Sequence, residues 1–561
     1  LNIKKELREK LIELVTEAVK EVYKTKNIKT EIPDVKIEKP KFEGHGDYAV
    51  NIAMVLAKPL KMPPGKIAEE ITANIPENDI IEKIEVAGPG FINFHLSEEW
   101  IYEGLKLIED MKDKFGKSDI GNGKKVMVEY VSANPTGPPH MGNARGAALG
   151  DLIAEVLDKS GYDVTREFYI NDAGNQIEKF GFSLEARYLQ ELFGSDYIEF
   201  PEDGYHGDDI ILHTKKYIEI NGDNLSKLES EERRKVLVDF ALKRNLESLE
   251  ENLKLYGIEF DNWFSEKTLH SSGYIEETIS LMKENGYTTE EEGALWFKTT
   301  EFGAEKNDVL IRNNGIATYL AADIAYHRDK FEKRKFDRVI NLWGADHHGH
   351  VERLKNAMTA IGVDRDKLDI VLFQLVRLYR DGEAVRMSKR TGKSISLGDL
   401  LEEVGKDAAR FIFNMKTSGV HLDFDLGLAV KQSNENPVFY VQYAHARICS
   451  ILRKLEEENI ESKELTEKEL SILTEKEEKD LIKKLTEFPD EIEISASTLE
   501  PSRLTRYVME VAALFHSFYN SCRVKGAEEE IMMARIVLVK CVKTVIKNVL
   551  DILKISAPEK M

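Results

Sequence analysis

In Leu1–Lys24 the apolar residues Leu7, Leu11, Leu14, Val15, Ala18 and Val22 share one face of a 3.6-residue period, which predicts an amphipathic helix. A glycine-broken turn follows, Phe42-Glu43-Gly44-His45-Gly46-Asp47-Tyr48. Next come a predicted helix over Ala49–Ala57 and two strands, Ile81–Val86 and Gly90–Leu96. Residues 1–110 read as a small α+β domain. From 111 to 430 short apolar runs alternate with helical periods, the pattern of a parallel sheet covered by helices on both faces. Lys125–Val131, Arg338–Leu342, Phe373–Leu378 and Ala384–Arg386 read as strands there. Residues 187–290 are more charged and mostly helical, as in Leu225–Tyr256, and are expected to form a helical insertion. Past Asn436-Pro437 the strand pattern stops, and Val438–Leu455, Lys479–Leu485, Ser502–Cys522 and Glu529–Leu553 carry helical periods. Residues 431–561 are therefore expected to be a helical bundle. The predicted class is α/β with two outer domains. A chain of 561 residues exceeds the ~250–300 that one core supports.

Composition narrows the functional classes. No apolar run approaches the ~18 residues of a membrane span, so no membrane role is expected. The first segment is a charged helix and lacks the apolar centre of a signal peptide. Cys449, Cys522 and Cys541 have no CxxC spacing, which points to a reducing, cytoplasmic setting and away from a cysteine zinc site. The net charge of -21 disfavours nucleic acid as a partner unless a local basic groove sits on an acidic body.

Two motifs change that picture. After the strand Lys125–Val131, the segment Ser132-Ala133-Asn134-Pro135-Thr136-Gly137-Pro138-Pro139 must be a loop, because its prolines and glycine cannot continue a strand. His140-Met141-Gly142-Asn143 then opens a helix running to Ser160. A strand, a short loop and a helix N-terminus make an anion site, with unpaired N–H groups and the positive end of the helix dipole aimed at the ligand. His140 can donate to a phosphate oxygen, and Gly142 lets a base lie close to the backbone. The second motif lies about 245 residues on. Arg380-Asp381-Gly382-Glu383 is a hairpin turn signal, followed by the basic loop Met387-Ser388-Lys389-Arg390-Thr391-Gly392-Lys393.

The block Ala133–Asn143 resembles the His-Ile-Gly-His motif of class I aminoacyl-tRNA synthetases, and Met387-Ser388-Lys389 resembles their Lys-Met-Ser-Lys-Ser loop. The flanks Ser132–Gly137 and Ala144-Arg145-Gly146-Ala147 are similar to the arginyl-tRNA synthetase branch. The resemblance implies a Rossmann-type catalytic domain, with Ala133, Asn134, Pro135, Thr136, Gly137, Pro138, Pro139, His140, Met141, Gly142 and Asn143 at ATP, together with Met387, Ser388 and Lys389. It implies catalytic roles for His140, Asn143 and Lys389 and a requirement for Mg²⁺. Asn143 replaces the usual last histidine; its amide still donates a hydrogen bond but carries no charge. Arg386 replaces the first lysine of the second motif.

Arginine recognition needs carboxylates that grip a planar guanidinium. Tyr319 and Asp323 lie four residues apart on a predicted helix and resemble the arginyl family's substrate helix. By that resemblance Asp323 binds the guanidinium, Tyr319 supports it, and Glu129 and Asn134 hold the substrate's other groups. Trp343-Gly344-Ala345-Asp346-His347-His348-Gly349-His350 suggests a metal at first sight, but His-x-x-x-His spacing is absent and no bound metal is expected. The stretch instead resembles the family's Gly-x-Asp element, which implies Gly344 and Asp346 near the ribose. Ile170-Asn171-Asp172-Ala173-Gly174-Asn175-Gln176 resembles a further element of the same cleft. At the other end, aromatics beside Gln and Arg suit stacking on single-stranded bases. The resemblance makes the first block a tRNA-contacting domain and the last the anticodon-binding bundle, with Tyr440, Gln442, Tyr443, Arg447 and Met561 at the tRNA. The implied partners are tRNA(Arg) and L-arginine, and a monomer is expected. The alternatives are another class I synthetase, such as the cysteinyl one, and a non-catalytic RNA-binding relative.

Overall fold

The structure is a computed structural model that describes residues 2–40, 44–137, 139, 141–380, 382–385, 395–460 and 463–561. His140, Pro138, Met387, Ser388 and Lys389 lie outside the described residues.

Five parallel strands form the central sheet, in the order Leu368–Phe373, Arg338–Gly344, Lys125–Glu129, Asp163–Ile170, Asn262–Ser265. The middle strand is buried from Val126 to Glu129, as a strand covered on both faces should be. The chain winds outward through 163–170 and 262–265, then returns to fill the other side. The order therefore reverses between Lys125–Glu129 and Arg338–Gly344, and in sheets of this kind ligands bind in the crevice outside the carboxyl ends of the strands at that point.

The helix Met141–Lys159 covers the middle strand at very close range. A Cβ on Gly146 would come 2.7 Å from the Phe373 ring, and one on Gly150 would come 2.3 Å from Tyr130. Glycines one turn apart thus let the helix backbone settle onto aromatic side chains.

The expected α/β class with an N-terminal α+β unit and a C-terminal helical bundle holds. The first unit packs the helix Ile3–Thr25 beside an antiparallel sheet ordered Ile37–Glu38, Tyr48–Val50, Phe91–Leu96, Ile81–Ala87. Tyr48–Val50 is a strand, and the helix expected from Ala49 begins only at Ile52. In the bundle, Asn436 caps the helix Pro437–Glu457 by accepting from the Val438 N–H.

Two expectations shift. The helical excursion runs through Asn175–Phe193, Asp208–Asn221 and Ser230–Leu255 and has its own small core around Phe180, Tyr188 and Leu237. The next segment, Asn262–Ser265, is not part of a helical insertion; it rejoins the main sheet. The apolar run Phe373–Leu378 is broken at Gln374-Leu375. There the Gln374 N–H donates to Ser418 and its carbonyl accepts from Arg145, and the chain leaves the parallel sheet for a second one.

Candidate active site

The middle strand ends in a sharp reversal. Val131 and Ser132 both have positive φ, +68° and +41°, and the Ser132 N–H donates back to the Tyr130 carbonyl at 3.0 Å. Left-handed backbone at a β-branched residue is strained, and such strain concentrates at functional sites. Ser132 is held from both sides: its hydroxyl donates to Glu129 at 3.1 Å and accepts the Tyr169 N–H at 3.2 Å. Asn134 accepts a hydrogen bond from Asn171 at 3.1 Å, joining the first loop to the Asn171–Gln176 element.

The first loop also meets the segment that follows the second motif. The Met141 N–H donates to the Ile395 carbonyl at 3.0 Å, and the Leu397 N–H donates to the Pro139 carbonyl at 2.9 Å. Ser396 and Asp399 form a capping box that starts the helix Leu397–Phe413 at this seam. Two motifs about 245 residues apart in sequence thus have flanks stitched together backbone to backbone.

A second cluster lies under the sheet edge. Glu129 is buried and bonds the fully buried Lys330 at 2.5 Å; Lys330 also donates to the Asn341 amide oxygen at 3.1 Å. With its oxygen occupied, Asn341 turns its NH₂ to His327 Nε2 at 2.6 Å. His327 must then carry its proton on Nδ1, which faces the Asp323 carbonyl at 2.8 Å and carboxylate at 3.3 Å. His350 reaches the other carboxylate oxygen at 2.6 Å. Burial opposes ionisation of Asp323, but the bonds from His327 and His350 hold its carboxyl well below the usual carboxylate range. Its side chain remains 26% exposed.

Tyr319 opens the same helix and is exposed; its hydroxyl lies 3.0 Å from where a Cβ on Gly174 would stand. Gly344 ends its strand and Asp346 stands exposed in the turn beyond it. Glu129, Asn134, Gly344 and Asp346 lie at or past the ends of sheet strands, and Tyr319 and Asp323 lie on the helix whose Asp323 bonds His350 beyond one of them.

Sequence reasoning missed Glu266 and Tyr169. Glu266 directly follows the strand Asn262–Ser265 and is buried, and its N–H donates to Ile170. Burial pushes its carboxyl up, against hydrogen bonds from His270 and Tyr169. The Tyr169 hydroxyl is pushed far above its ordinary range by burial and then by Glu266, Asp323 and Glu129, so three carboxylates surround this one ring. The available signal was the strand Asn-Trp-Phe-Ser, which puts the next residue at the carboxyl edge of the sheet.

In the bundle, Tyr440 and Tyr443 pack their rings 5.1 and 6.2 Å from His516, and Arg447 lies over Tyr519 at 4.2 Å. Gln442 points the other way. It is buried, and its amide donates to Asp407 at 3.0 Å and to the Ser556 carbonyl at 2.9 Å. Met561 is exposed.

Three family models tile the chain: "Arginyl tRNA synthetase N terminal domain" over residues 3–96, "tRNA synthetases class I (R), catalytic domain" over 107–447, and "DALR anticodon binding domain" over 441–561. An arginine–tRNA ligase of Acetivibrio thermocellus is 64% identical over 531 residues, 94% of each chain. One of Ruminiclostridium cellulolyticum is 61% identical over 562 residues, all of both chains. The solved Thermus thermophilus arginyl-tRNA synthetase shares the fold with a TM-score of 0.77 at 23% identity, covering 99% of this chain and 100% of that one. On motifs, fold and full-length identity together, the chain belongs to the arginyl-tRNA synthetase family.

Proposed function

We infer that the chain activates L-arginine with ATP and transfers it to the 3′ end of tRNA(Arg). The observation that carries this reading is Asp323, an ionised carboxylate braced by two histidines and left partly exposed, with the buried Glu266 across Tyr169. Two carboxylates without a permanent cation suit a guanidinium, which presents donors in a planar fork. Glu129 already holds Lys330 and Ser132, and with Asn134 it is suited to the substrate's amino and carboxyl end. Tyr319 walls the pocket.

In the first step an oxygen of the arginine carboxylate attacks the α-phosphate and pyrophosphate leaves. In the second, the 2′-hydroxyl of the terminal adenosine attacks the acyl carbon and AMP leaves. His140, Lys389 and the Asn143 amide stabilise the charge that builds on the phosphates, and removing one such preorganised group slows a reaction ~10²–10³-fold. Ala133–Pro139, Met141 and Gly142 cradle the nucleotide, Gly344 and Asp346 take the ribose, and Met387 and Ser388 belong to the loop that covers the triphosphate. Among the described residues no cluster of three or more His, Cys, Asp or Glu side chains could hold a metal ion. Mg²⁺ is expected to come with the ATP phosphates, which suits an ion that keeps few protein ligands.

Residues 1–110 contact the tRNA body, 111–430 carry the chemistry and 431–561 bind the anticodon. Tyr440, Tyr443, Arg447 and Met561 form the base-contacting face, with Gln442 behind it. The three cysteines are free and buried, which fits the cytoplasm. Among the described residues no helix is long and apolar enough to cross a membrane. A monomer is proposed. Charging tRNA with each amino acid in turn tests the reading. Arginine alone is expected to be charged, and equal charging with lysine contradicts it. Lys389→Ala is expected to slow adenylate formation far more than it weakens tRNA binding.

A further inference from the structure

The helical excursion touches the nucleotide loop at one polar point. Asn245, on the helix Ser230–Leu255, donates its amide N–H to the Pro135 carbonyl at 2.8 Å. Its amide oxygen lies 2.8 Å from Nε2 of His213, on the helix Asp208–Asn221. The other ring nitrogen, Nδ1, lies 3.1 Å from an Arg244 guanidinium nitrogen. His213, Asn245 and Pro135 are all buried.

The direction of this chain is set by chemistry. A guanidinium can only donate, so Nδ1 must accept. The ring proton then sits on Nε2 and is donated to the Asn245 oxygen. That fixes which way the Asn245 amide faces and leaves its NH₂ for Pro135, which has no N–H of its own and offers only its carbonyl. The helix that carries His213 meets the loop as well, at Gly137, where a Cβ would lie 3.8 Å from Asp209 Oδ2.

We propose that His213 is a positioning residue for the nucleotide loop: through Asn245 it holds the Pro135 carbonyl, and with it Ala133–Pro139, in the conformation that receives ATP. The inference rests on the assignment of that loop to ATP. It gives the helical excursion a role in nucleotide binding that no motif in its sequence announces. The relay works only while the ring is neutral, because a proton on Nδ1 would face the Arg244 cation. The charged groups bearing on the ring are Arg244, from the neighbouring helix, and Asp209, one turn earlier on its own helix. Burial foremost, with Arg244, keeps the ring's proton affinity below the ordinary histidine value, against Asn245 and Asp209. The relay is therefore intact at neutral pH and lost only in acid.

Steady-state charging of tRNA with arginine at saturating tRNA tests this. His213→Leu and Asn245→Asp are expected to raise KM for ATP about tenfold, the scale of one buried hydrogen bond, while kcat and the tRNA Kd stay within about threefold. His213→Gln keeps an acceptor for Arg244 and a donor for Asn245, so KM for ATP should return to about the wild-type value. As pH falls, KM for ATP should rise in the wild type more than in His213→Gln. In the unaltered enzyme, nitrogen NMR of the histidines should show His213 protonated on Nε2 alone at neutral pH. A ring protonated on Nδ1 would overturn the proposal. So would variants that lose thermal stability with KM for ATP unchanged, or a Gln variant no better than Leu. A wild-type enzyme that fails to charge arginine would instead contradict the functional reading, and the NMR result stands apart from either.

Discussion

Asp151 and Asp323 are both held by several partners, yet they are built for opposite purposes. Asp151 lies in the helix Met141–Lys159 and is fully buried. It meets Arg410 at 2.5 Å and Lys554 at 2.8 Å, with the Tyr130 hydroxyl at 3.4 Å. Arg410 also donates to the Leu553 and Tyr256 carbonyls. The cluster thus ties the helix Met141–Lys159 to the end of the helical excursion, to the helix Leu397–Phe413 and to the last turn of the bundle. Its negative charge is saturated by permanent cations. Asp323 is held as firmly, but by His327 and His350, of which His327 is fixed as a neutral donor by Asn341. Its hydrogen bonds are mostly filled, but by histidines and not by the permanent cations that hold Asp151. A carboxylate braced by histidines is a seat for a cation; one braced by arginine and lysine is a joint between elements.

The sharpest break of this contrast is Asp323→Asn. It should lower kcat/KM for arginine by about 10³-fold or more, because the guanidinium then meets an amide that cannot neutralise it. The melting temperature should fall, because the His327 and His350 bonds to the carboxylate are weakened, but by less than when the Asp151 cluster is broken, which calorimetry checks. Arg410→Met should do the reverse. It leaves Asp151 with Lys554 and the Tyr130 hydroxyl and should cost about 3–5 kcal/mol of stability in denaturant titration, with arginine KM little changed in the protein that remains folded. Next in size is the bundle. Tyr443→Ala should weaken tRNA binding by about tenfold through lost stacking. Gln442→Ala should instead cost about 1 kcal/mol of stability and leave tRNA affinity nearly intact.

The smallest effect is one of pH. Burial raises the Glu266 carboxyl, whereas Asp323 is held low, so Glu266 is the first of the pair to take up a proton as pH falls. A protonated Glu266 cannot oppose the guanidinium charge. KM for arginine should rise a few-fold as pH falls toward the ordinary glutamate range, beginning above it because the Glu266 carboxyl is raised. In Glu266→Gln it should be high and flat across the same range. The Asp323 contribution to folding runs the same way: its depressed pKa adds stability above the unfolded carboxylate range, lost only as pH falls through the lower folded value.

Much of this was legible in sequence because the relevant segments carry more than one kind of constraint. Lys125–Val131 is mostly apolar, with Glu129 its one charge after Lys125, and a proline-rich loop follows it, so strand and loop were both readable. Tyr319 and Asp323 are spaced by one helical turn, and the structure puts them on one helix with Asp323 held by His327 and His350. Gln442 and Tyr443 show the limit. Periodicity puts them on different faces of one helix but does not say which face is covered. Here the cover is Ser556–Pro558, more than 110 residues later in the chain, to which Gln442 and His445 are bonded. Glu266 was hidden for a related reason. A four-residue strand after long charged helices leaves too short an apolar pattern to separate from them, so its position at the sheet edge went unread. The His213–Asn245–Pro135 relay depends on two helices meeting a loop about 80 and 110 residues away, which no local pattern encodes.

The central claim is that Asp323 waits as a negative charge for the guanidinium. Citrulline has nearly the shape of arginine without the charge, so the most direct measurement is the ratio of kcat/KM for arginine to that for citrulline, in the wild type and in Asp323→Asn. The account predicts a ratio on the order of 10³–10⁴ in the wild type that collapses to about ten or less in the variant. A variant that keeps the wild-type ratio would contradict it.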